Sequence, residues 1–350
     1  MKNNEKCIII ESEPAAKDKN TFGGMWLGEE YVDGTTGLKY VRFIGCIVLM
    51  AAIFSAYLHI ILIGYKLKSV INGADRIMPI SYESSGNDYA AARETFSTGM
   101  MGAKVDESDQ GILVMSFNIR HGVDHTGKES LDSIIDEIKA YKPQIIALQE
   151  VDCRMPRSRF RNQAKIIADA LGYNYIYGDT INFMGIKYGN TILSAYPIVE
   201  YKNIRLPSRS LEGRAILVSK INIGGEIYHV LNTHLGLDGK ERNKQIGVIN
   251  NILKEIDGNI ILMGDFNEQA DTLTAEEINR KMIDTAVETC NEYLNTYAYY
   301  SDIPNTRIDH IYVSQSIQVI DHFVIPSRVS DHSMVFSLIL HKAGKKRGII

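Results

Sequence analysis

The sequence predicts an α/β domain, built on a mixed sheet or two packed sheets flanked by helices, behind a single transmembrane helix. From residue 111 onward, short apolar runs typical of strands outnumber helical patterns, and short glycine-containing turns join several neighbouring strands. Nearer the N-terminus lies an uncharged stretch of 22 residues. Because the strands do not simply alternate with helices, the pattern disfavours a strictly parallel sheet.

The uncharged stretch, FIGCIVLMAAIFSAYLHIILIG at residues 43–64, is predicted to be the transmembrane helix. A helix of this length spans roughly 30 Å, the thickness of a bilayer's hydrocarbon core. Buried core helices are rarely apolar on every face, which disfavours that alternative. A tail at residues 1–42, which carries several acids, precedes the stretch, so we expect a permanent anchor and no cleavable signal peptide.

Flanking basic residues are divided too evenly to fix the orientation of this helix. We place the C-terminal part on the extracytoplasmic side, because a single uncleaved anchor usually exports the chain on its C-terminal side. Residues 65–110 are rich in Ser, Gly, Asp, Glu and Ala without a sustained period, which predicts a linker. One long domain is predicted after the linker, at residues 111–343.

Apolar runs within this domain predict its strands, at residues 111–117, 144–148, 191–194, 215–223, 228–231, 259–263, 308–313 and 334–340. Apolar residues at helical spacing predict one helix around residues 131–138 and another around residues 246–256. Gly258 is expected to cap the second helix at its C-terminus.

Charge and cysteine content argue against two classes of protein. From residue 111 onward, 27 Lys and Arg stand against 28 Asp and Glu, which is not the basic footprint of a protein that holds long nucleic acid. The four cysteines have neither a pairing pattern nor the spacing of a zinc site.

Polar residues stand at the ends of six predicted strands. They are Asn118; Gln149 and Glu150; Asn232, Thr233 and His234; Asp265 and Asn267; Asp309 and His310; and Asp331 and His332. One such ending is common because Asp and Asn favour turns, but six predict a polar cluster at one rim of the packed strands. The carboxylate and amide oxygens suit a hard cation such as Mg²⁺, and the histidines can move protons. Metal, water and imidazole together indicate phosphoester hydrolysis.

Seven short motifs carry a family resemblance across roughly residues 111–341: MSFNIRHG, ALQEVD, YGNTILSAYPI, LNTHLG, MGDFNE, RIDHIYVS and SDHSMV. In this order they resemble the endonuclease/exonuclease/phosphatase superfamily, which includes deoxyribonuclease I and the neutral sphingomyelinases. The resemblance implies a four-layer α-β-β-α sandwich of two packed mixed sheets with the site at one rim. The overall pattern is most similar to generic bacterial members, and the two-histidine arrangement resembles deoxyribonuclease I and the sphingomyelinases.

The same resemblance implies a metal site for Mg²⁺ or Mn²⁺. Asn118 and Glu150 match metal-binding positions of the family, with Glu150 as the main carboxylate ligand. Asp331 resembles the acid that binds the metal or a metal-bound water.

Catalytic roles are likewise implied by the resemblance. His332 looks like the histidine that contacts the scissile phosphate, with Asp309 aligning its ring. Asp265 would orient or deprotonate the attacking water, and Asn267 would hold a phosphate oxygen. His234 matches the second histidine, which would stabilise the transition state or protonate the leaving oxygen. Which residue acts as the base stays open.

Two further positions are candidates for substrate binding. Asn190 resembles a site-lining position of bacterial members. Arg157 stands in a basic stretch with Arg154, Arg159 and Arg161, which could clamp a second phosphate or lie solvated on a surface loop. For Arg157 both interpretations stay open, and for the other three the solvated loop is favoured.

Two other features receive simpler interpretations. The tyrosine-rich run YLNTYAYY at residues 293–300 could stack a base, but a packed edge segment is favoured. Glu268, next to Asn267, is expected to face solvent.

Together these observations predict a membrane-anchored phosphodiesterase that depends on Mg²⁺ or Mn²⁺ and uses a metal-activated water. A lipid or lipid-linked substrate is favoured, because the anchor holds the site near a bilayer and the domain lacks a basic surface. The alternatives are a nuclease of the deoxyribonuclease type and an inactive domain retained for binding. No feature of the sequence indicates a protein partner.

Overall fold

The structure is a computed structural model of the 350-residue chain, and it describes residues 111–269, 272, 278, 280–298 and 304–341. The predicted tail, transmembrane helix and linker, at residues 1–42, 43–64 and 65–110, lie outside the described residues. Within the described ranges, no helix is long and apolar enough to cross a membrane.

Twelve strands are found among the described residues. They are β1 (Ile112–Asn118), β2 (Ile145–Cys153), β3 (Asn174–Phe183), β4 (Ile186–Ser194), β5 (Ile198–Leu206), β6 (Arg214–Ile223), β7 (Glu226–His234), β8 (Asn259–Asp265), β9 (Ile283–Asp284), β10 (Asp309–Val313), β11 (Ile317–Ile325) and β12 (Met334–His341). The helices are α1 (Leu131–Tyr141), α2 (Gln163–Leu171), α3 (Gly239–Lys254) and the short α4 (Thr285–Glu288).

The strands form two sheets, with the orders β11-β12-β1-β2-β4-β3 and β5-β6-β7-β8-β10-β9. Both sheets are mixed, because β1 and β2 pair in parallel, as do β7 and β8, while their other neighbours are antiparallel. The inner faces share one apolar core in which Val114 and Ala147 of the first sheet meet Val230 and Met263 of the second. This arrangement confirms the predicted sandwich of two packed mixed sheets.

Helices cover both outer faces of the sandwich. Ile134 and Ile138 of α1 and Ile167 of α2 pack on the first sheet, and Ile246 and Ile249 of α3 pack on the second. Each amphipathic helix thereby removes its apolar stripe from water, which stabilises the helix more than intrinsic propensity does.

Local chemistry explains where these helices begin and end. The side chain of Asn162 accepts the backbone N–H of Lys165 at the start of α2, and Asp238 accepts that of Glu241 at the start of α3. The predicted cap at Gly258 is wrong: α3 ends at Lys254, and Gly258 has a φ of 90° in the turn that leads into β8. Such a φ suits a residue without a side chain.

A buried polar contact ties the two sheets together beneath one rim. Nε2 of Gln149 in β2 donates to Oδ1 of Asn232 in β7 at 2.8 Å. Asn232 in turn donates to the carbonyl oxygens of Leu148 at 2.9 Å and Thr191 at 2.8 Å, both in the opposite sheet. Because buried polar groups are costly unless paired, these bonds fix how the sheets align at this rim.

Candidate active site

The polar strand ends predicted from the sequence meet at one rim of the sandwich. Strands β1, β2, β7 and β8 reach this rim at their C-terminal ends, and β10 and β12 start from it because they run antiparallel to β8 and β1. The pairing of β10 with β8 places Asp309 directly opposite Asp265, and the pairing of β7 with β8 places His234 next to Asp265 on its other side.

Asp265, which is buried, is the centre of the cluster. Its Oδ2 accepts a hydrogen bond of 3.0 Å from Nδ2 of Asn118, and the same amide donates to Oε1 of Glu150 at 3.1 Å. Asn118 therefore holds two carboxylates from different sheets within reach of each other. Its own Oδ1 accepts the backbone N–H of Arg120 at 3.0 Å.

Two histidines approach the same oxygen of Asp265. Nε2 of His234 lies 3.5 Å from Oδ2 of Asp265, and Nε2 of His332 lies 3.6 Å from it. A carboxylate flanked by two imidazoles and an amide is suited to orienting a water molecule and exchanging protons with it.

A hydrogen-bonded chain fixes the ring of His332. Its Nδ1 lies 2.8 Å from Oδ2 of the buried Asp309, which also accepts a bond of 2.7 Å from the hydroxyl of Thr296. Burial opposes protonation of the ring, but the charges of Asp309 and Asp265 and the bond to Asp309 outweigh it and raise the pKa of His332 to about 10. At neutral pH the ring is therefore a cation whose Nε2–H faces Asp265.

Glu150 stands at an irregular point of β2, where the pairing with β4 shifts register between Leu148 and Val151. Its φ of 58° turns the side chain toward the mouth of the site. Burial opposes its ionisation, but contact with His121 at 3.6 Å, the nearby His234 and the bond from Asn118 together hold the pKa of Glu150 well below its usual range. Glu150 is therefore an ionised carboxylate at neutral pH.

The other predicted residues of this rim have partners of their own. Oδ2 of Asp331 pairs with Nε of Arg120 at 3.2 Å. Asn267, with a φ of 49°, donates its backbone N–H to Oδ1 of Asp265 at 2.9 Å and its side-chain amide to the carbonyl of Leu235 at 3.0 Å. One N–H of that amide stays available for another acceptor.

The two candidate substrate-binding residues lie beside the cluster. Arg157 forms a two-point ion pair with the fully buried Asp152, at 2.9 and 2.8 Å, and covers the ring of Tyr188 at 5.1 Å. Asn190 is buried and donates to the carbonyl of Ala215 at 3.3 Å. Both are held by the protein itself, so substrate binding by either one stays a prediction.

The expectation for the other loop arginines is only partly correct. Arg159 and Arg161 both pair with Glu129, so they fasten the loop to its neighbour and are not simply solvated. Arg154 is exposed, as expected. The expectation that Glu268 faces solvent is wrong, because its carboxylate pairs with Nε of Arg242 at 2.8 Å and both side chains are mostly covered.

Residue-by-residue reading of the sequence missed Tyr297 and Thr296. The described part of the tyrosine-rich run, residues 293–298, forms no continuous strand, but Tyr297 bridges to Thr306 and His332 and its ring lies 4.6 Å from the imidazole. Burial and the carboxylates of Asp331 and Asp265 raise the pKa of Tyr297 to about 12. Its hydroxyl is therefore protonated at neutral pH.

A hard divalent cation fits better at Glu150, on the open side of the site, than among the buried side chains of Asp265, Asp309 and His332. Glu150 offers an ionised, partly open carboxylate that no Lys or Arg of the described residues neutralises. Asp265, Asp309 and His332 also bring one ligand atom each within 4.8 Å of one another. In that buried group, however, His332 is itself a cation and its Nδ1 is committed to Asp309, so its ring is not available as a ligand.

A two-sheet sandwich with carboxylates, amides and two histidines gathered at one rim defines a phosphoesterase type of site. Residues 115–332 match the model of the Endonuclease/Exonuclease/phosphatase family, so the chain belongs to this family. Its members are hydrolytic phosphoesterases, typically dependent on divalent metal ions.

The chain is similar to one bacterial protein in sequence and to several solved structures in fold. The Escherichia coli (strain K12) protein YbhP, itself uncharacterized, is 27% identical over 176 residues, which cover 47% of this chain and 70% of that protein. The solved endonuclease/exonuclease/phosphatase from Beutenbergia cavernae superposes with a TM-score of 0.56 at 19% identity, covering 66% of this chain and 72% of that one. A mannosyl-6-phosphatase from Bacteroides thetaiotaomicron gives 0.55 at 19% identity, over 65% and 99% of the two chains. At these identities the structures show a shared fold alone.

Proposed function

We propose that this protein is a membrane-anchored, Mg²⁺- or Mn²⁺-dependent phosphodiesterase that hydrolyses a lipid or lipid-linked phosphodiester. The observation that carries the proposal is the convergence on one oxygen of Asp265, which Asn118, His234 and His332 approach at 3.0, 3.5 and 3.6 Å. Such a site can orient water on one side and offer positive charge to a phosphate on the other.

Each side chain has a role that follows from its contacts. Asp265 accepts a hydrogen bond from the attacking water. Its Oδ2 lies between the two imidazoles, so a water bound there is aligned with the phosphate that the imidazoles contact. His332, held as a cation by Asp309, donates from Nε2 to a phosphate oxygen. His234 donates to the phosphate or to the leaving oxygen, and the available N–H of Asn267 binds a second phosphate oxygen.

A metal ion would be held by Glu150, with Asp331 and Asn118 beside it. When bound, Mg²⁺ or Mn²⁺ supplies charge neutralisation at the phosphate and lowers the pKa of coordinated water. Asn118 also orients Glu150, because it donates to that carboxylate at 3.1 Å.

Two considerations favour a lipid-type substrate over nucleic acid. The sequence predicts a membrane anchor at residues 43–64, which would raise the local concentration of bilayer substrates. The domain is nearly neutral, whereas proteins that bind long nucleic acid carry a basic surface. The same residues could serve a nuclease, so the substrate is decided by the surroundings of the site.

Turnover by the purified full-length chain in detergent tests the proposal. It is given Mg²⁺ or Mn²⁺ and offered mixed phospholipid vesicles, plasmid DNA, a soluble phosphodiester and a soluble phosphomonoester. We expect hydrolysis of the phosphodiester and a phospholipid, abolished by EDTA and restored by added metal. His332→Ala should lose this activity, and the exposed His125→Ala serves as its matched control.

The outcomes separate the alternatives. Rapid plasmid nicking with intact lipid would establish the nuclease and refute the lipid preference. Hydrolysis of the monoester alone would replace the phosphodiesterase with a phosphatase. Ligand binding that EDTA does not affect, without turnover of any substrate, would support an inactive binding domain.

A further inference from the structure

We propose that four loops around the mouth of the active site dock the domain onto an anionic phospholipid surface. Their exposed apolar side chains are Phe160, Met184, Leu211 and Leu237, which we call the apolar rim. The inference rests on the proposed function only in naming a bilayer lipid as the substrate; the docking itself can be measured without turnover.

The apolar rim is exposed to a degree that is unusual for large hydrophobic side chains. Leu211 is 91% exposed, Met184 89%, Leu237 78% and Phe160 64%. Single exposed hydrophobic residues are ordinary on protein surfaces, but several on neighbouring loops mark an interaction site.

Contacts at the bases of these loops show that the loops start from neighbouring positions. Nε of Arg214, which follows the Leu211 loop, donates to the carbonyl of Leu235 at 2.9 Å, two residues before Leu237. Nη2 of Arg205 at the end of β5 pairs with Asp179 of β3 at 2.6 Å, shortly before the turn that carries Met184.

The fourth loop joins the same group through β4. Cys153, where the Phe160 loop begins, pairs with Lys187, three residues after Met184. The Phe160 loop also returns beside its own start, because Cys153 bridges to Asn162.

The same loops border the catalytic residues. Leu237 follows His234 by three residues, and the carbonyl of Leu235 between them accepts the amide of Asn267 at 3.0 Å. Strand β4, which starts just after Met184, runs beside β2 at Glu150. A surface that contacts the apolar rim is therefore brought to the entrance of the active site.

Basic side chains around the apolar rim give it a charge that matches anionic headgroups. Arg154 and Arg209 are exposed on these loops and Lys240 is exposed at the start of α3, and none of the three forms an ion pair with a described residue. Acids of the same loops have partners of their own: Glu212 pairs with Arg214 at 2.8 Å, and Asp238 and Glu241 accept the backbone N–H groups of Glu241 and Arg209.

This pattern fits a lipid surface better than a protein partner. The apolar residues stand singly on separate loops with basic residues between them, as in interfacial contacts that insert a few side chains and attract anionic lipid. The predicted anchor at residues 43–64 belongs to the same chain and would hold the domain beside a bilayer.

Tryptophan fluorescence of the full-length chain tests the docking. The sequence contains a single tryptophan, Trp26, so Trp26→Phe provides a background for one reporter at a time. Met184→Trp and Leu211→Trp report on the apolar rim. Tyr201→Trp is the matched control, because Tyr201 is also apolar and 57% exposed but lies near the start of β5, at the opposite end of that strand from the Leu211 loop.

Each variant is reconstituted in anionic phospholipid vesicles, with and without lipids brominated along their acyl chains. We expect a blue shift of the emission and quenching by the brominated lipid for tryptophan at positions 184 and 211, and neither effect at position 201. Equal quenching at all three positions, or none at 184 and 211, would overturn the proposal.

A second measurement links docking to turnover. The triple variant Met184→Ser, Leu211→Ser, Leu237→Ser should hydrolyse a vesicle-borne phosphodiester about tenfold more slowly, with unchanged turnover of a soluble one. If the triple variant hydrolyses both substrates at the rates of the unaltered protein, or loses the same factor on both, a role in docking is contradicted. Quenching at the apolar rim without turnover of any phosphodiester would instead refute the proposed function and leave the docking surface standing.

Discussion

The side-chain amide of Asn118, at the end of β1, donates a hydrogen bond of 3.0 Å to Oδ2 of Asp265, at the end of β8 in the other sheet. This bond crosses the interface between the sheets at the rim where the histidines gather. It links Asn118, which also donates to the predicted metal ligand Glu150, to Asp265, which is proposed to orient the attacking water.

Replacing Asn118 with Leu should lower phosphodiester turnover by about two to three orders of magnitude, because one donor that positions two carboxylates is lost. Turnover of a soluble phosphodiester, with thermal unfolding measured in parallel, checks this expectation. Asn203→Leu is the matched control, since its amide donates to the carbonyl of Asp179 outside the cluster. Unchanged turnover in Asn118→Leu would remove this residue from the site.

Asp309 and His332 should act as one unit. Asp309→Asn retains the shape of the carboxyl but removes the charge that holds the imidazole as a cation, so turnover should fall by about a hundredfold or more. The double variant Asp309→Asn, His332→Ala should be no slower than His332→Ala alone. Additive losses in this double-mutant cycle would show that Asp309 acts independently of the ring.

Tyr297 should matter through its ring, which lies 4.6 Å from that of His332. Tyr297→Phe keeps this packing and should retain most of the turnover, whereas Tyr297→Ala frees the imidazole and should lower kcat by about tenfold. Steady-state kinetics on a soluble phosphodiester distinguish the two variants. If Tyr297→Phe is as slow as Tyr297→Ala, the hydroxyl carries the effect.

Arg157 should contribute to stability through its pair with Asp152. Arg157→Ala leaves the carboxylate of Asp152 buried without its cation, which should cost about 2 kcal/mol of unfolding free energy. The value lies below that of a fully buried pair because the Arg157 side chain is 39% exposed and solvent screens it. Urea denaturation measures the cost. Arg154→Ala, at an exposed position without an ion pair to any described residue, should change the stability by no more than about 0.5 kcal/mol.

His322 should make the domain sensitive to mild acid. Burial, aided by the charges of Arg307 and His310 and opposed by Asp284, lowers the pKa of His322 to about 4 from an ordinary value near 6.5. Between these values the unfolded chain binds more protons, so stability rises with pH through this window and is lost as the pH falls toward 4.

The measurement is unfolding free energy against pH. His322→Asn, which does not titrate in this window, should flatten the dependence between pH 4 and 6.5, by up to about 3 kcal/mol at its acid end. The exposed His125→Asn should leave the curve unchanged. An unaltered slope in His322→Asn would assign the acid sensitivity to other groups.

Local patterns were sufficient to predict most of the core strands. The predicted runs at residues 215–223 and 259–263 lie within β6 and β8, because most of their residues are apolar and buried. Strands β3, β5, β9 and β11, which are the edge strands of the two sheets, were missed. Three of them mix exposed polar residues with apolar ones, and β9 has only two residues. Intrinsic β-propensity predicts such strands poorly, because packing on their one buried face decides whether they form.

By itself the sequence determined the α/β sandwich, the family and the set of polar residues at the strand ends, because apolar runs and short motifs of neighbouring residues are sufficient to recognise each of them. Only the tertiary structure decided which of those residues meet. Asn118 and Asp265 are 147 positions apart and touch because two sheets pack at one register, and Tyr297 reaches His332 through a segment without periodicity. The partners of Arg157, Arg161 and Glu268 were decided in the same way. Contacts between distant side chains depend on how the sheets and loops pack, which no local pattern contains.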